Sequence, residues 1–170
     1  MAHQNSRAPK LLGDFGEGLV TYALIRKGFE VACVDHVGAD LIAECDDYKI
    51  AVSVKTRLYR QGTKESRGTV FTYDHLDKLE HFAKRFDLDP VLAHAVCMED
   101  DHIIHLFMIR TEDIRKRLAA VKHGHRLQFG PKYLDETIAF PYIDYSHWAD
   151  ESITSGLFVK PQAATQQNVT

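Results

Sequence analysis

Apolar residues along this chain are spaced as in helices in some segments and as in strands in others. A first helix is predicted after Asp14, which we expect to be its N-cap, and before Gly28, a typical residue just beyond a helix end. A second, amphipathic helix is predicted at residues 74–87, and a third begins at Thr111 and ends at Gly124. Short apolar runs predict strands at residues 29–34, 39–44, 49–57, 91–98 and 102–109, and a weaker pattern predicts a short strand near residues 126–129.

The order of these elements predicts an α/β (α+β) fold in which helices flank a central mixed β-sheet, with the core order αβββαβ. The chain is long enough for one domain with a substantial core. We expect that domain at residues 11–160, with its core at 13–109 and a C-terminal extension at 110–160. Residues 1–10 are predicted to form a flexible arm, and residues 161–170 a disordered tail.

Composition and charge exclude several classes of protein. The hydrophobic fraction of 45% and the charged fraction of 26% are ordinary for a globular domain. The net charge of −3 gives no overall basic field for nucleic acid, although a local basic patch is sufficient for binding. No apolar run is long enough to span a membrane, and no glycine loop of the nucleotide-binding type is present. The three cysteines lie far apart in sequence, which predicts buried thiols in a reducing cytoplasm.

The most informative local pattern is the hairpin of the second and third strands. Asp46 and Asp47 form the expected two-residue turn. The register that this turn sets places Asp40 opposite Ser53, with Cβ atoms roughly 5 Å apart. Alternation along the third strand puts Ser53 and Lys55 on one face and the apolar residues on the other. Asp40, Ser53 and Lys55 are therefore expected to share a face, and a slip of one residue would separate them.

This trio suits the hydrolysis of a phosphodiester, which needs a hard cation to bind a phosphate oxygen and to lower the pKa of an attacking water. Mg²⁺ is held by one or two carboxylates together with waters and substrate oxygens, and Asp40 supplies such a carboxylate. A lysine beside the cation orients the water or stabilises charge in the transition state, which is the role expected for Lys55. Glu17, on the first helix, is a candidate to bind the metal through water or to position Lys55.

The same motifs resemble those of the PD-(D/E)XK nuclease superfamily, and most closely its small resolvase-like members. The resemblance covers residues 13–109 and rests on Gly16-Glu17, on residues 38–42 and on residues 52–57. The motifs are short, and their order and spacing carry the match.

That resemblance implies a restriction-endonuclease-like fold and a Mg²⁺-dependent (or Mn²⁺-dependent) DNA endonuclease that works as a homodimer. It implies catalytic roles for Glu17, Asp40 and Lys55, with Asp40 and Glu17 at the metal. Members of the superfamily usually carry Glu or Asp two residues before the lysine, whereas this chain carries Ser53. The loss of one negative charge should weaken metal binding.

A replacement acid is expected on the helix that follows, because one group of type II restriction enzymes combines Ser-x-Lys with an acid from a downstream helix. Asp77 is the first candidate, and Asp74 and Glu80 are weaker ones. Each of these acids also has an ordinary explanation as a charged residue near the start of a helix.

A basic loop is predicted directly after Lys55, at residues 58–71, and we expect it to be mobile. Such a loop beside a metal site suits contacts with a phosphate backbone, although it could also be a solvated charged loop. The residues expected to contact nucleic acid are Arg57, Arg60, Lys64 and Arg67. A second basic cluster is interpreted as surface charge and comprises Lys116, Arg117, Lys122, His123, His125 and Arg126.

Three hypotheses follow from these patterns. The first is a divergent Mg²⁺-dependent DNA endonuclease. The second is a catalytically inactive protein of the same fold that binds nucleic acid or protein. The third is a structural α/β module in which Asp40 and Lys55 form an ion pair and Glu17 only caps its helix.

Overall fold

The structure, a computed structural model, describes residues 7–59, 68–98 and 101–149. The predicted tail at residues 161–170 lies outside the described residues. The same holds for three of the four residues predicted to contact nucleic acid, Arg60, Lys64 and Arg67.

Runs of strands separate the helices along the described chain. The five strands predicted from apolar runs, the weaker one near residues 126–129 and the three predicted helices are present, with differences at their ends. The elements are α1 (Ala8–Arg26), β1 (Glu30–His36), β2 (Ala39–Cys45), β3 (Tyr48–Tyr59), β4 (Gly68–Thr72), α2 (Tyr73–Phe86), β5 (Asp89–Met98), β6 (Ile103–Arg110), α3 (Thr111–Arg117), β7 (Ala119–Val121), β8 (Gly124–Gln128), α4 (Leu134–Ile138) and β9 (Ile143–Ala149).

A six-stranded mixed sheet forms the centre of the fold, in the order β1-β2-β3-β5-β6-β9. Within it only β3 and β5 are parallel, and the crossover between them passes through β4 and α2. A smaller antiparallel sheet has the order β4-β8-β7. The predicted fold class, a central mixed sheet flanked by helices, is confirmed. The predicted C-terminal extension contributes β9 to the main sheet, so it is part of the same packed body.

The main sheet has a hydrophobic core on each face. On one face α1 packs through Val20 and Leu24 against a cluster that includes Val52 of β3. On the other face α2 packs through Leu76 and Leu79 against a cluster that includes Ala51. Because side chains alternate along a strand, Ser53 and Lys55 lie on the face that α2 covers.

The first helix begins earlier than its sequence pattern predicts. It starts at Ala8, with a proline in the first turn, where the missing N–H costs nothing. The prediction that Asp14 is the N-cap is therefore wrong: Asp14 lies within α1 and accepts hydrogen bonds from Lys10 Nζ at 3.0 and 2.9 Å. Residues 8–10 of the predicted arm are helical. The predicted end holds, since Gly28 follows the helix with a φ of 89°.

Two later segments also differ from their predictions. The predicted mobile loop at residues 58–71 begins within β3 and ends within β4, whose pairing with β8 buries Phe71 and Leu127. The predicted helix from Thr111 ends at Arg117, because the residues after it pair with β8 as β7. The cysteines are not all buried, since Cys33 on the edge strand β1 is exposed and the other two are half-buried.

Gly16 allows α1 to approach β3 closely, and Gly16→Ala is expected to destabilise the protein by about 1–3 kcal/mol, the usual range for over-packing. An added Cβ would overlap with Thr56 Oγ1 and would lie 3.0 Å from Thr56 Cβ. Urea unfolding followed by circular dichroism measures this change in the free energy of unfolding.

Gly18 on the same helix provides the matched control. An added Cβ there has no atom within 4 Å, so Gly18→Ala should stabilise the helix by about 0.5–1 kcal/mol. Combining Gly16→Ala with Thr56→Ala should recover most of the lost stability. Equal stability of Gly16→Ala and Gly18→Ala would contradict the close packing of α1 on β3.

Candidate functional site

The hairpin of β2 and β3 positions the site, and its predicted register is confirmed. Cys45 pairs with Tyr48 across the two-residue turn, and the pairing continues without interruption to Leu41 and Val52. The next pair in this register is Asp40 and Ser53. Asp40 is half-buried and Ser53 is only 4% exposed.

Asp40 is held by two hydrogen bonds from β3. The backbone N–H of Val54 donates to Asp40 Oδ2 at 2.6 Å, and the Ser53 hydroxyl donates to the same oxygen at 3.1 Å. These bonds fix the carboxylate at the point where the ladder between the two strands stops. Within the described part of the chain, no hydrogen bond engages Asp40 Oδ1 and no ion pair joins Asp40 to Lys55, so the predicted ion pair of the structural hypothesis is not formed.

His75, in the first turn of α2, completes a hydrogen-bonded chain with these two residues. Its Nε2 lies 3.0 Å from Ser53 Oγ. The single proton of the Ser53 hydroxyl goes to the carboxylate, so the Nε2–H of His75 donates to Ser53 Oγ. Burial, followed by the charge of Lys55, lowers the pKa of His75 to about 4, which keeps the ring neutral at pH 7.

The sequence patterns did not single out His75, although a signal was available. His75, Leu79 and Phe82 follow one another at helical spacing on α2, and Leu79 and Phe82 are buried. A histidine in line with two core residues faces the sheet rather than solvent. This stripe therefore carries a polar side chain to the face where Asp40 and Ser53 lie.

Lys55 reaches solvent on the same face as Ser53. Desolvation by its surroundings lowers the pKa of Lys55, while the nearby charge of Asp40 opposes that change. Lys55 and His75 line one cleft of about 200 Å³, together with Arg57, Thr69, Val70, Phe71 and Thr72. The predicted grouping of Asp40, Ser53 and Lys55 on one face is thus observed, with His75 added to it.

His94 lies beneath this cleft and joins two of its walls. It is fully buried on β5, where its Nδ1–H donates to the Lys55 carbonyl oxygen at 3.0 Å. Its Nε2 accepts a hydrogen bond from Thr69 Oγ1 at 2.8 Å. Burial lowers the pKa of His94 to about 4. The neutral ring therefore ties the backbone of β3 at Lys55 to β4, which fixes the width of the cleft.

Comparison with known proteins is informative at the level of the fold. No protein-family model and no curated protein matches the chain. The chain is similar to the solved structure of Hjc, a Holliday junction resolvase from Archaeoglobus fulgidus, with a TM-score of 0.50 and 16% sequence identity over 68% of this chain and 83% of that chain. The chain has a restriction-endonuclease-like fold.

A second solved structure, of a bacterial homing endonuclease, is similar over 92% of this chain and 81% of that chain. The TM-score is 0.36 and the identity 14%.

The restriction-endonuclease-like fold does not bring the predicted replacement acids to the cleft. Asp77 and Glu80 both bind Arg115 of α3, with Asp77 Oδ1 at 2.6 Å from Nη2 and Glu80 Oε1 at 2.8 Å from Nε. Asp77 follows His75 by two residues, which places it on the opposite side of α2. Asp74 binds Lys78 at 2.7 Å. None of these three acids reaches Ser53.

Glu17 lies on the helix that covers the opposite face of the sheet from Asp40 and Lys55. It lies on α1, directly after Gly16, which packs on Thr56. Glu17 is therefore beside the same segment of β3 as Lys55, but α1 covers the other face of the sheet. Its role at a metal, or in positioning Lys55, stays a prediction.

The basic residues divide into two groups. Arg57 is exposed at the cleft, as predicted. The second basic cluster is dispersed, because Arg117 binds Asp113 at 2.8 Å, Lys116 binds Glu112, and His125 is buried with its Nδ1–H donating to the Leu118 carbonyl oxygen.

Residues 7–59, 68–98 and 101–149 lack two further features. They contain no group of three or more His, Cys, Asp or Glu side chains that could hold a metal ion. They also contain no helix long and apolar enough to cross a membrane.

Proposed function

We propose that this protein is a divergent metal-dependent DNA endonuclease of the PD-(D/E)XK type, which hydrolyses phosphodiester bonds. The observation that supports this proposal is the grouping of Asp40, Ser53 and Lys55 on one face of the sheet, where Lys55 and Arg57 line a cleft. The register of the hairpin predicts this grouping, and the restriction-endonuclease-like fold surrounds it.

The donor set at the cleft fits a hard divalent cation in part. Asp40 offers a half-buried carboxylate beside Ser53, and we infer that this carboxylate would hold Mg²⁺ or Mn²⁺. When bound, the cation polarises a phosphate oxygen and lowers the pKa of a water molecule. Lys55 supplies a positive charge beside the scissile phosphate, where it orients the water or stabilises charge that develops in the transition state. Arg57 holds a neighbouring phosphate.

Cleavage of DNA tests the proposal directly. Purified protein should cut at least one of linear duplex, four-way junction and single-stranded DNA when Mg²⁺ or Mn²⁺ is added. The junction is included because Hjc is a Holliday junction resolvase. Absence of cleavage on all three substrates, with persistent binding to DNA, would replace the endonuclease by the inactive binding module.

The basic residues predicted to contact nucleic acid should also govern the salt dependence of DNA binding. Changing Arg57, Arg60 and Arg67 together to Ala is expected to make the negative slope of log K against log salt shallower by about 2–3, since each phosphate contact contributes about 0.9. Fluorescence anisotropy on a labelled duplex, measured at several salt concentrations, gives this slope.

A control with the same loss of charge changes Arg26, Arg85 and Arg117 to Ala. None of these three arginines lines the cleft. The control should keep the wild-type slope. If both triple variants alter the slope equally, DNA binds elsewhere on the surface.

The homodimer implied by the resemblance stays a prediction. The outer side of α1 carries an exposed apolar stripe that would suit such pairing. Gly18 lies at the middle of this stripe, where no other atom is within 4 Å of an added Cβ. The stripe consists of Leu11, Phe15, Tyr22 and Ile25.

A further inference from the structure

Three possible ligand atoms beside the cleft form one hydrogen-bonded chain, and the two distances within it also fit neighbouring ligands of one metal ion. Asp40 Oδ2 lies 3.1 Å from Ser53 Oγ, and Ser53 Oγ lies 3.0 Å from His75 Nε2. Neighbouring ligands of an octahedral ion with bonds of about 2.1 Å are about 3 Å apart. Each of the two distances in the hydrogen-bonded chain therefore matches the distance between neighbouring ligands of such an ion.

We propose that Asp40, Ser53 and His75 form a metal site in which the imidazole of His75 takes the place of the absent acid, so that the site selects Mn²⁺ and Co²⁺ over Mg²⁺. This site deepens the proposed endonuclease function and rests on it. No acid of α2 competes for the position, because Asp77 and Glu80 are bound to Arg115.

The choice of metal follows from the ligand atoms. Carboxylate and hydroxyl oxygens suit Mg²⁺ and Mn²⁺ alike, whereas an imidazole nitrogen favours transition metals. Replacing a carboxylate by a serine and a neutral histidine also removes one negative charge, and Lys55 adds a positive one nearby. Mg²⁺ binding depends on charge and therefore suffers more from this change. Affinity should rise from Mn²⁺ to Co²⁺, the usual order for such ligands.

The helix that carries His75 is firmly held, so the ring is presented in a defined position. The backbone N–H of Tyr73 donates to the His123 carbonyl oxygen at 3.1 Å, and Leu76 is fully buried. Metal binding at Nε2 requires the proton of the neutral ring to reside on Nδ1. Ser53 then turns its hydroxyl proton away from the metal and offers an oxygen lone pair.

Metal binding to the full-length protein, without DNA, tests the site. Titration with Mn²⁺, followed by the electron paramagnetic resonance of free Mn²⁺, should give one site per chain, and Mg²⁺ should compete at least tenfold more weakly. Pulsed measurements on the bound Mn²⁺ should detect coupling to a ¹⁴N nucleus. His75→Ala should lose this coupling and weaken Mn²⁺ binding at least tenfold.

Two further variants separate a ligand from a residue that only supports the fold. His81 lies exposed on the same helix, so His81→Ala is the matched control and should keep the affinity and the coupling. His75→Glu restores a carboxylate, and it should raise the affinity for Mg²⁺ while lowering that for Co²⁺. A general disturbance of the fold would not invert the metal preference in this way.

The outcomes for the metal site and for the function are distinct. Unchanged Mn²⁺ affinity and ¹⁴N coupling in His75→Ala would overturn the site, as would Mg²⁺ binding as tight as that of Mn²⁺. Cleavage driven by Mg²⁺ and unaffected by His75→Ala would overturn the site and leave the endonuclease function intact. Mn²⁺ binding through His75 without cleavage of any DNA would uphold the site and overturn the function.

Discussion

Asp40→Ala and Lys55→Ala are each expected to reduce the rate of DNA cleavage by about a hundredfold to a thousandfold or more. Removal of a single preorganised group that stabilises transition-state charge costs a factor of about 10²–10³, which sets the loss for Lys55. Asp40 should be at least as costly, because its carboxylate is the only acid that the described structure brings to Ser53. Single-turnover cleavage with saturating metal measures both losses.

The same two strands provide matched controls for these variants. Glu44 on β2 and Lys49 on β3 form an ion pair at 3.3 Å. Glu44 lies four residues after Asp40, and Lys49 lies six residues before Lys55. Glu44→Ala and Lys49→Ala remove the same charges from the same sheet face, so they should cleave at nearly the wild-type rate. A Lys55→Ala variant that cleaves as fast as Lys49→Ala would contradict the assignment of the site.

The hairpin that carries Asp40, Ser53 and Lys55 could be predicted because its determinants are local. Two acidic residues form the turn, and alternating apolar residues on β3 fix which side chains face the core. A change of register by one residue would bury Lys55 and expose the core, so the pattern favours the observed arrangement. Sequence alone was therefore sufficient for the geometry that the proposed function depends on.

His75 and the acids of α2 could not be placed in the same way. Their direction depends on how α2 is rotated against the sheet, and that rotation is set by long-range packing of Leu76 and Leu79 on β3 and β5. A difference of two residues on a helix reverses the side of the helix on which a group lies. Asp77 and His75 differ by that amount, which is why an acid was expected where the structure has an imidazole.

The small sheet was predicted only in part, because the sequence indicates a short strand near residues 126–129, where β8 lies, but neither β4 nor β7. Its strands β4 and β8 are short, and residues far apart in sequence pair within it, such as Phe71 with His125. The segment of β4 alone has too little apolar alternation to be distinguished from a loop. Their pairing nevertheless fixes Thr69, which binds His94 and so forms one wall of the cleft.

The double variant Ser53→Glu with His75→Ala is expected to cleave DNA with Mg²⁺ at least about tenfold faster than the wild type. A glutamate at position 53 adds a second carboxylate beside Asp40, and hard oxygen ligands with more negative charge bind Mg²⁺ more tightly. Ser53 is buried and its Oγ is 3.0 Å from His75 Nε2, so the larger side chain needs the space that His75→Ala vacates. Ser53→Glu alone should gain less.

Ser53→Gln with His75→Ala is the matched control for that variant, because it has the same size and no added charge. The cleavage rate with Mg²⁺ is measured for the wild type, for both single variants and for the two double variants. Comparison of these rates isolates the effect of the carboxylate, provided that thermal unfolding confirms an intact fold for each protein. If the glutamate variant is folded and still cleaves no better than the glutamine variant, a missing acid is not what limits the site. Inactivity of all five proteins on linear, branched and single-stranded DNA would then leave the inactive binding module as the function of this fold.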